Sequence, residues 1–183
     1  KPITLAAWKQ EYDRLQAEYA KLSPQYKLLR ENLMKMRRVQ YCVDRVLQRR
    51  QPEQEAPKIL NMVASSSSIH VKNSEDNVLG EMLAAMGYVN IADSETSLLQ
   101  NLSFEYILQS DPEYIFIVPR GDDTEGMLQN IAAELESNPL WAQLTAVKEN
   151  RVFIMEKDLF GFKPNHRWGE AYERLEEILT CEE

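Results

Sequence analysis

Two cysteines and two histidines are all that a chain of 183 residues offers to thiol or soft-metal chemistry, and neither pair is arranged for it. Cys42 and Cys181 lie far apart and outside any C-x-x-C spacing, so neither a disulfide framework nor a zinc site is expected, and both are read as thiols. His70 and His166 are too few for a three-histidine metal centre. Glycine is sparse as well, at six residues, and none builds a phosphate-cradling loop. G-x-S-x-G and H-E-x-x-H are absent too, so no nucleophile–base pair or metal constellation can be assembled and no enzyme is expected. Long apolar runs are also missing. No stretch reaches the roughly 18 residues of a membrane helix, so insertion into a membrane is not expected, and the first residues do not read as a signal peptide.

Basic residues run short over most of the chain. Residues 1–57 carry 12 Lys and Arg against 7 Asp and Glu, a balance of +5, and the rest carry 9 against 22, a balance of −13, which together give the −8 of the whole. The acidic region repels phosphates, and a modest positive charge spread along a helix is too dilute for DNA, so nucleic acid is not an expected partner. With 44% hydrophobic residues, the chain can bury one sizeable core and a small second element.

What is present begins with a heptad. From Leu5 the apolar residues step by three and four through Trp8, Tyr12, Leu15, Tyr19, Leu22, Tyr26, Leu29, Leu33 and Met36 to Val43 and Leu47, with Gln40 as the polar exception. Ser23-Pro24 sets a capping residue before a first-turn proline, the signature of a new helix. The arm is therefore read as two helices, about 3–22 and 24–50, either folded as a hairpin or running on as one kinked helix. Its seam could bring copies of the chain together as a homo-oligomer.

Gln51 to Pro57, polar and bracketed by prolines, coincides with the charge break and divides the chain into an arm, 1–57, and a lobe, 58–183. Ile59 to Ala64 is a short apolar run that reads as a buried strand, with Ser65 to Ser68 as its exit loop. Helix and strand then take turns. A helix over about 77–86 ends at Gly87, a short strand covers 88–91, and a helical turn starts at Ser103. A strongly apolar strand follows at 114–118, then a helix at 124–135, a short helix from Asn138-Pro139, a strand at 152–155 and a last helix at 167–179. The alternation predicts an α/β fold, a three-layer sandwich with a mainly parallel central sheet and binding loops at the strand carboxyl ends.

Several stretches, in this order, resemble the second lobe of the substrate-binding proteins that deliver iron-siderophores, haem or cobalamin to ABC importers. They are Leu79-Gly80-Glu81-Met82-Leu83, Gly87 to Asp93, Leu102 to Leu108, Asp111-Pro112-Glu113-Tyr114-Ile115, Asn138-Pro139-Leu140-Trp141, Arg151-Val152 and Lys163 to Trp168. The resemblance runs from about Lys58 to Leu179. It implies a ligand held in a cleft between two lobes, an ABC permease as partner, and an extracytoplasmic location, in the periplasm or as a cell-surface lipoprotein. The family's permease-docking glutamate falls on Glu105, which also complements the positive end of the helix capped by Ser103. The ligand-facing surface implied is Ser65 to Asn77, Arg120 to Thr124 and Asp158 to Asn165. There Phe160 and Phe162 offer aromatic faces, Arg120, Lys72 and Lys163 offer charge to an anionic siderophore, and His70 could accept or ligate.

The chain departs from that family in length. A complete member is nearly twice as long, with an amino-terminal lobe and a long helix joining the two; residues 26–50 could take the place of that helix, whereas 1–22 do not look like a lobe. The arm, with Tyr41-Cys42-Val43-Asp44, faintly resembles the tails of mobilisation relaxases. Two readings result: one lobe of a solute-binding protein, or a helix-mediated interaction protein or fusion remnant without ligand affinity. A single wall encloses only part of a ligand, so affinity is expected to be absent or no better than about tens of micromolar.

Overall fold

The computed structural model describes residues 24–49, 55–75, 77–162 and 167–180, together with Gln10, Asp13, Arg14, Ala17, Glu18 and Lys21. The chain divides into two compact units, Lys1–Arg38 and Val39–Glu183. Helix α1 (Pro24–Arg49) begins in the first and ends in the second. In the first unit the six described residues ahead of α1 are helical, and the expected break at Ser23 lies outside the described residues. Tyr26, Leu29, Leu33 and Met36 of the heptad stripe are exposed there.

The second unit is built on two apolar strands. β1 (Lys58–Ala64) and β4 (Tyr114–Pro119) run parallel, in register from Ile59 opposite Tyr114 to Ala64 opposite Pro119. β5 (Val152–Ile154) continues the sheet in parallel along β4. These are the three strands expected at Ile59, Tyr114 and Val152. Nearly every residue of β1 and β4 is apolar because each strand is covered on both faces. β3 (Val89–Asn90) adds a parallel pair beside the start of β1, as short as expected.

β2 (Ile69–Lys72) corrects the sequence reading, which placed these residues in a loop. It runs back antiparallel along β1, from Ala64 opposite Ile69 to Asn61 opposite Lys72. The serines make a tight turn rather than an open exit. The Ser65 N–H donates to the Ser68 carbonyl at 2.8 Å, and the Ser65 hydroxyl accepts from the N–H groups of Ser67 and Ser68. The four residues that follow therefore fall into register and alternate, Val71 buried and His70 exposed. The sheet order is β2-β1-β4-β5, with β3 beside β1.

Among the described residues seven further α-helices accompany this sheet: α2 (Val78–Ala85), α3 (Ile91–Ser94), α4 (Phe104–Ser110), α5 (Thr124–Ile131), α6 (Thr145–Lys148), α7 (Lys157–Phe160) and α8 (Trp168–Thr180). The expected helix over 124–135 ends as α5 plus a wide π turn, Ala132–Glu136. Side-chain alternation along the strands sorts the interior into two cores. Ile59, Tyr114, Phe116 and Val118 pack with Leu79, Met82, Leu83, Phe160, Tyr172 and Leu175, joined by Cys42 and Val46 from the end of α1. Leu60, Met62, Ile115 and Ile117, on the other face, pack with Ile91, Leu98, Ile107, Met127, Trp141 and Leu144. The result is the three-layer α/β sandwich expected. On the first face Tyr88, Tyr114, Phe116 and Phe153 form a row of rings with centroids 5.9, 6.3 and 5.7 Å apart. Among the described residues no helix is long and apolar enough to cross a membrane.

Candidate ligand-binding cleft

The carboxyl ends of β1 and β4, together with the chain leaving β5, open into a cleft of about 790 Å3. Val63, Val118 and Pro119 line its base, Lys72 stands at the end of β2, and Asn77, Val78 and Glu81 come from the start of α2. Arg120 and Gly121 follow β4, and Lys157, Phe160, Gly161 and Phe162 follow β5.

The first turn of α2 is fixed against the sheet by two asparagines. The Asn77 side-chain oxygen caps the helix by accepting from the Gly80 N–H at 2.7 Å, and it also accepts from the Asn61 side-chain amide at 2.8 Å. Asn61 is buried within β1. A Cβ on Gly80 would lie 2.7 Å from the Asn73 carbonyl oxygen, so only glycine lets the turn come this close.

The loop after β4 turns at Gly121, whose φ of 83° lies in the left-handed region. The Arg120 N–H donates to the Ala64 carbonyl at 2.8 Å. Across the cleft the Lys157 ammonium donates to the Gly121 carbonyl at 2.7 Å and to Asp122 Oδ1 at 2.6 Å. That hydrogen bond, with the ammonium charge beside it, holds the Asp122 carboxyl below the usual aspartate range. Among the described residues Lys72, Arg120 and Lys157 thus set three cations, and Glu81 one carboxylate, around a cleft in the acidic part of the chain.

Of the residues proposed from sequence, the structure gathers Lys72, Arg120, Phe160 and Phe162 on this one cleft. Phe160 is 3% exposed and belongs to the core beneath it, while Phe162 is 68% exposed at its lip. His70 is exposed on β2 opposite Val63 and does not line the cleft. Lys163 lies outside the described residues. Glu105 is exposed in the first turn of α4. Ser103 caps that helix by accepting from the Tyr106 N–H at 3.4 Å, and its hydroxyl donates to Glu105 Oε2 at 3.4 Å. Glu105 has no Lys or Arg partner among the described residues. Sequence reasoning missed Lys157 and Glu81. Lys157 stands one residue ahead of the Asp158–Asn165 loop, in the chain that leaves β5 after Ile154. Among the described residues no group of His, Cys, Asp and Glu side chains is placed to hold a metal ion.

A mainly parallel sandwich with a one-sided, cation-bearing cleft at its strand carboxyl ends places that cleft where open α/β sheets bind their ligands. The chain belongs to the periplasmic binding protein family, whose model matches residues 30–159. The Fe(3+)-citrate-binding protein YfmC of Bacillus subtilis is 32% identical over 95 residues, which are 52% of this chain and 27% of that protein. The high-affinity heme uptake system protein IsdE of Staphylococcus aureus is 24% identical over 125 residues, 67% of this chain and 41% of that protein. The solved structure of S. aureus IsdE complexed with heme has the same fold, with a TM-score of 0.66 at 19% identity, covering 97% of this chain and 65% of that one. The periplasmic heme-binding protein RhuT from Roseiflexus sp. RS-1 matches at a TM-score of 0.62 and 19% identity, over 82% of this chain and 54% of that one. The chain spans less than half the length of the curated relatives it matches.

Proposed function

We propose that this chain supplies the carboxy-terminal lobe of the solute-binding component of an ABC importer, taking a ferric siderophore, haem or cobalamin. In this reading residues 58–183 are the lobe, 1–57 the arm, and the protein works outside the cytoplasmic membrane, in the periplasm or as a surface lipoprotein. The observation that carries the reading is the convergence of Arg120 and Lys72 with the exposed ring of Phe162 on one cleft at the strand carboxyl ends, beside Lys157, whose ammonium is taken up by the Gly121 carbonyl and Asp122. Flexible cations around a partly apolar floor suit a bulky anionic chelate, whose carboxylates or catecholates pair with Arg and Lys while its body stacks on the aromatic lip. Glu105, exposed and without a Lys or Arg partner among the described residues, is the group proposed to meet arginines of the permease.

Titrating the chain with haemin, ferric citrate and cyanocobalamin, followed by quenching of tryptophan fluorescence, tests the reading. One of the three is expected to saturate with a Kd of about tens of micromolar, because a single wall encloses half a ligand at nearly the full entropic cost of association. Arg120→Ala is expected to weaken it by about tenfold. Absence of saturation with all three, up to their solubility limits, would overturn the proposal.

A further inference from the structure

We infer that Lys157 is a positioning residue of the cleft, whose ammonium clasps the loop after β4 to the turn after β5 and thereby fixes the backbone from which Arg120 reaches the ligand. The ligand part of this inference rests on the function proposed above; the clasp itself does not. Arg120 sits between two backbone anchors. Its own N–H is held by the Ala64 carbonyl at the end of β1, and the carbonyl of the next residue, Gly121, is held by Lys157 at 2.7 Å. Between β4 and the Asp123 cap of α5 the chain must turn through the left-handed Gly121, a residue with no side chain to pack. The other bonds of that turn among the described residues are the Arg120 N–H at its start and, towards α5, the Thr124 N–H on the Asp122 carbonyl and the Gly126 N–H on the Asp123 carboxylate, and none of them holds Gly121.

A clasp works only if its other end is rigid. Lys157 opens α7, whose Leu159 and Phe160 are 5% and 3% exposed in the core, so the lysine stem starts from a fixed base. Its ammonium finds two acceptors in the opposite loop, a backbone carbonyl and the Asp122 carboxylate. The carboxylate is almost wholly exposed and by itself contributes little. The carbonyl contact is the one that constrains the main chain beside Arg120.

The test compares the wild-type chain with Lys157→Met, which keeps the apolar stem, Lys157→Arg, which restores a cationic donor, and Asp122→Asn, which leaves the carbonyl contact intact. Amide hydrogen exchange across 120–123 is measured without ligand, and haemin and ferric citrate are then titrated. Lys157→Met is expected to keep the wild-type thermal midpoint within a few degrees, to speed exchange at 120–123, and to lower affinity for the bound probe by about tenfold. Lys157→Arg should recover part of both, and Asp122→Asn should change exchange only slightly. Unchanged exchange in Lys157→Met would overturn the clasp. Faster exchange with undiminished affinity would overturn its role in binding. Faster exchange in a protein whose wild type binds neither of these probes nor cyanocobalamin would leave the clasp standing and remove the proposed function. Should Lys157→Met fail to fold, exchange at 120–123 in Lys157→Arg no slower than at unbonded loop amides would overturn the clasp.

Discussion

Asp122 shows how much a single exposed carboxylate can report. Its folded-state pKa is lowered by the bond from Lys157, so the stabilisation it contributes is fully present above the unfolded aspartate value of about 3.9 and is lost as pH falls through the lower folded-state value. A carbon-detected NMR titration is therefore expected to find Asp122 ionising below the ordinary range in the wild type and returning to it in Lys157→Met. Glu105 gives the opposite kind of prediction. Among the described residues its side chain is bonded by Ser103 alone, so Glu105→Ala should cost no more than about 1 kcal/mol of stability in a urea titration, the scale of a helix-end charge. It should impair uptake when placed in a complete transporter. Loss of uptake together with unfolding would remove the docking role.

At the scale of elements, the last turns of α1 are held by an ion pair and by Val39, Cys42, Val43 and Val46, which pack on the first core. Arg45 Nε lies 2.8 Å from Glu176 of α8, whose side chain is 8% exposed, and Cys42 and Val46 are buried alongside. Arg45→Met leaves a carboxylate in an apolar setting and is expected to destabilise the Val39–Glu183 unit by about 2–3 kcal/mol, somewhat less than a fully buried pair because Arg45 itself is half exposed. Adding Glu176→Leu should recover most of that loss in urea unfolding; no recovery would mean that Arg45 acts through its contact with the Tyr41 ring instead. The sequence made these elements legible to unequal degrees. β1 and β4 are readable because a strand covered on both faces carries a nearly continuous apolar run, and β5 because it too is apolar, although it is only half-buried and Ile154 is exposed. β2 is not readable, because Ile-His-Val-Lys is a short edge strand whose alternation is brief and whose pairing depends on the serine turn before it. The cleft divides in the same way. Arg120 and Phe162 follow apolar strands and were found, whereas the part played by Lys157 depends on a carbonyl 36 residues away that no local pattern announces.

For the molecule as a whole, the outer side of β1 is shared end to end. β3 pairs with Lys58 and Ile59, β2 pairs with Asn61 to Ala64, and the Asn90 side chain donates to the Lys72 carbonyl at 2.7 Å where the two meet. This arrangement sets an order in time. The β1–β2 hairpin closes over a handful of residues, an event of about 1–10 μs, whereas Ile59 must find Tyr114 55 positions further along and β5 later still. The register of β1 is thus expected to be settled locally, before the strand that will be its principal partner has been brought near. Stopped-flow chevrons should show Val71→Ala mainly slowing refolding and Phe153→Leu mainly speeding unfolding. The short antiparallel strand that is least visible in the sequence would then be the template on which the parallel sheet is laid down.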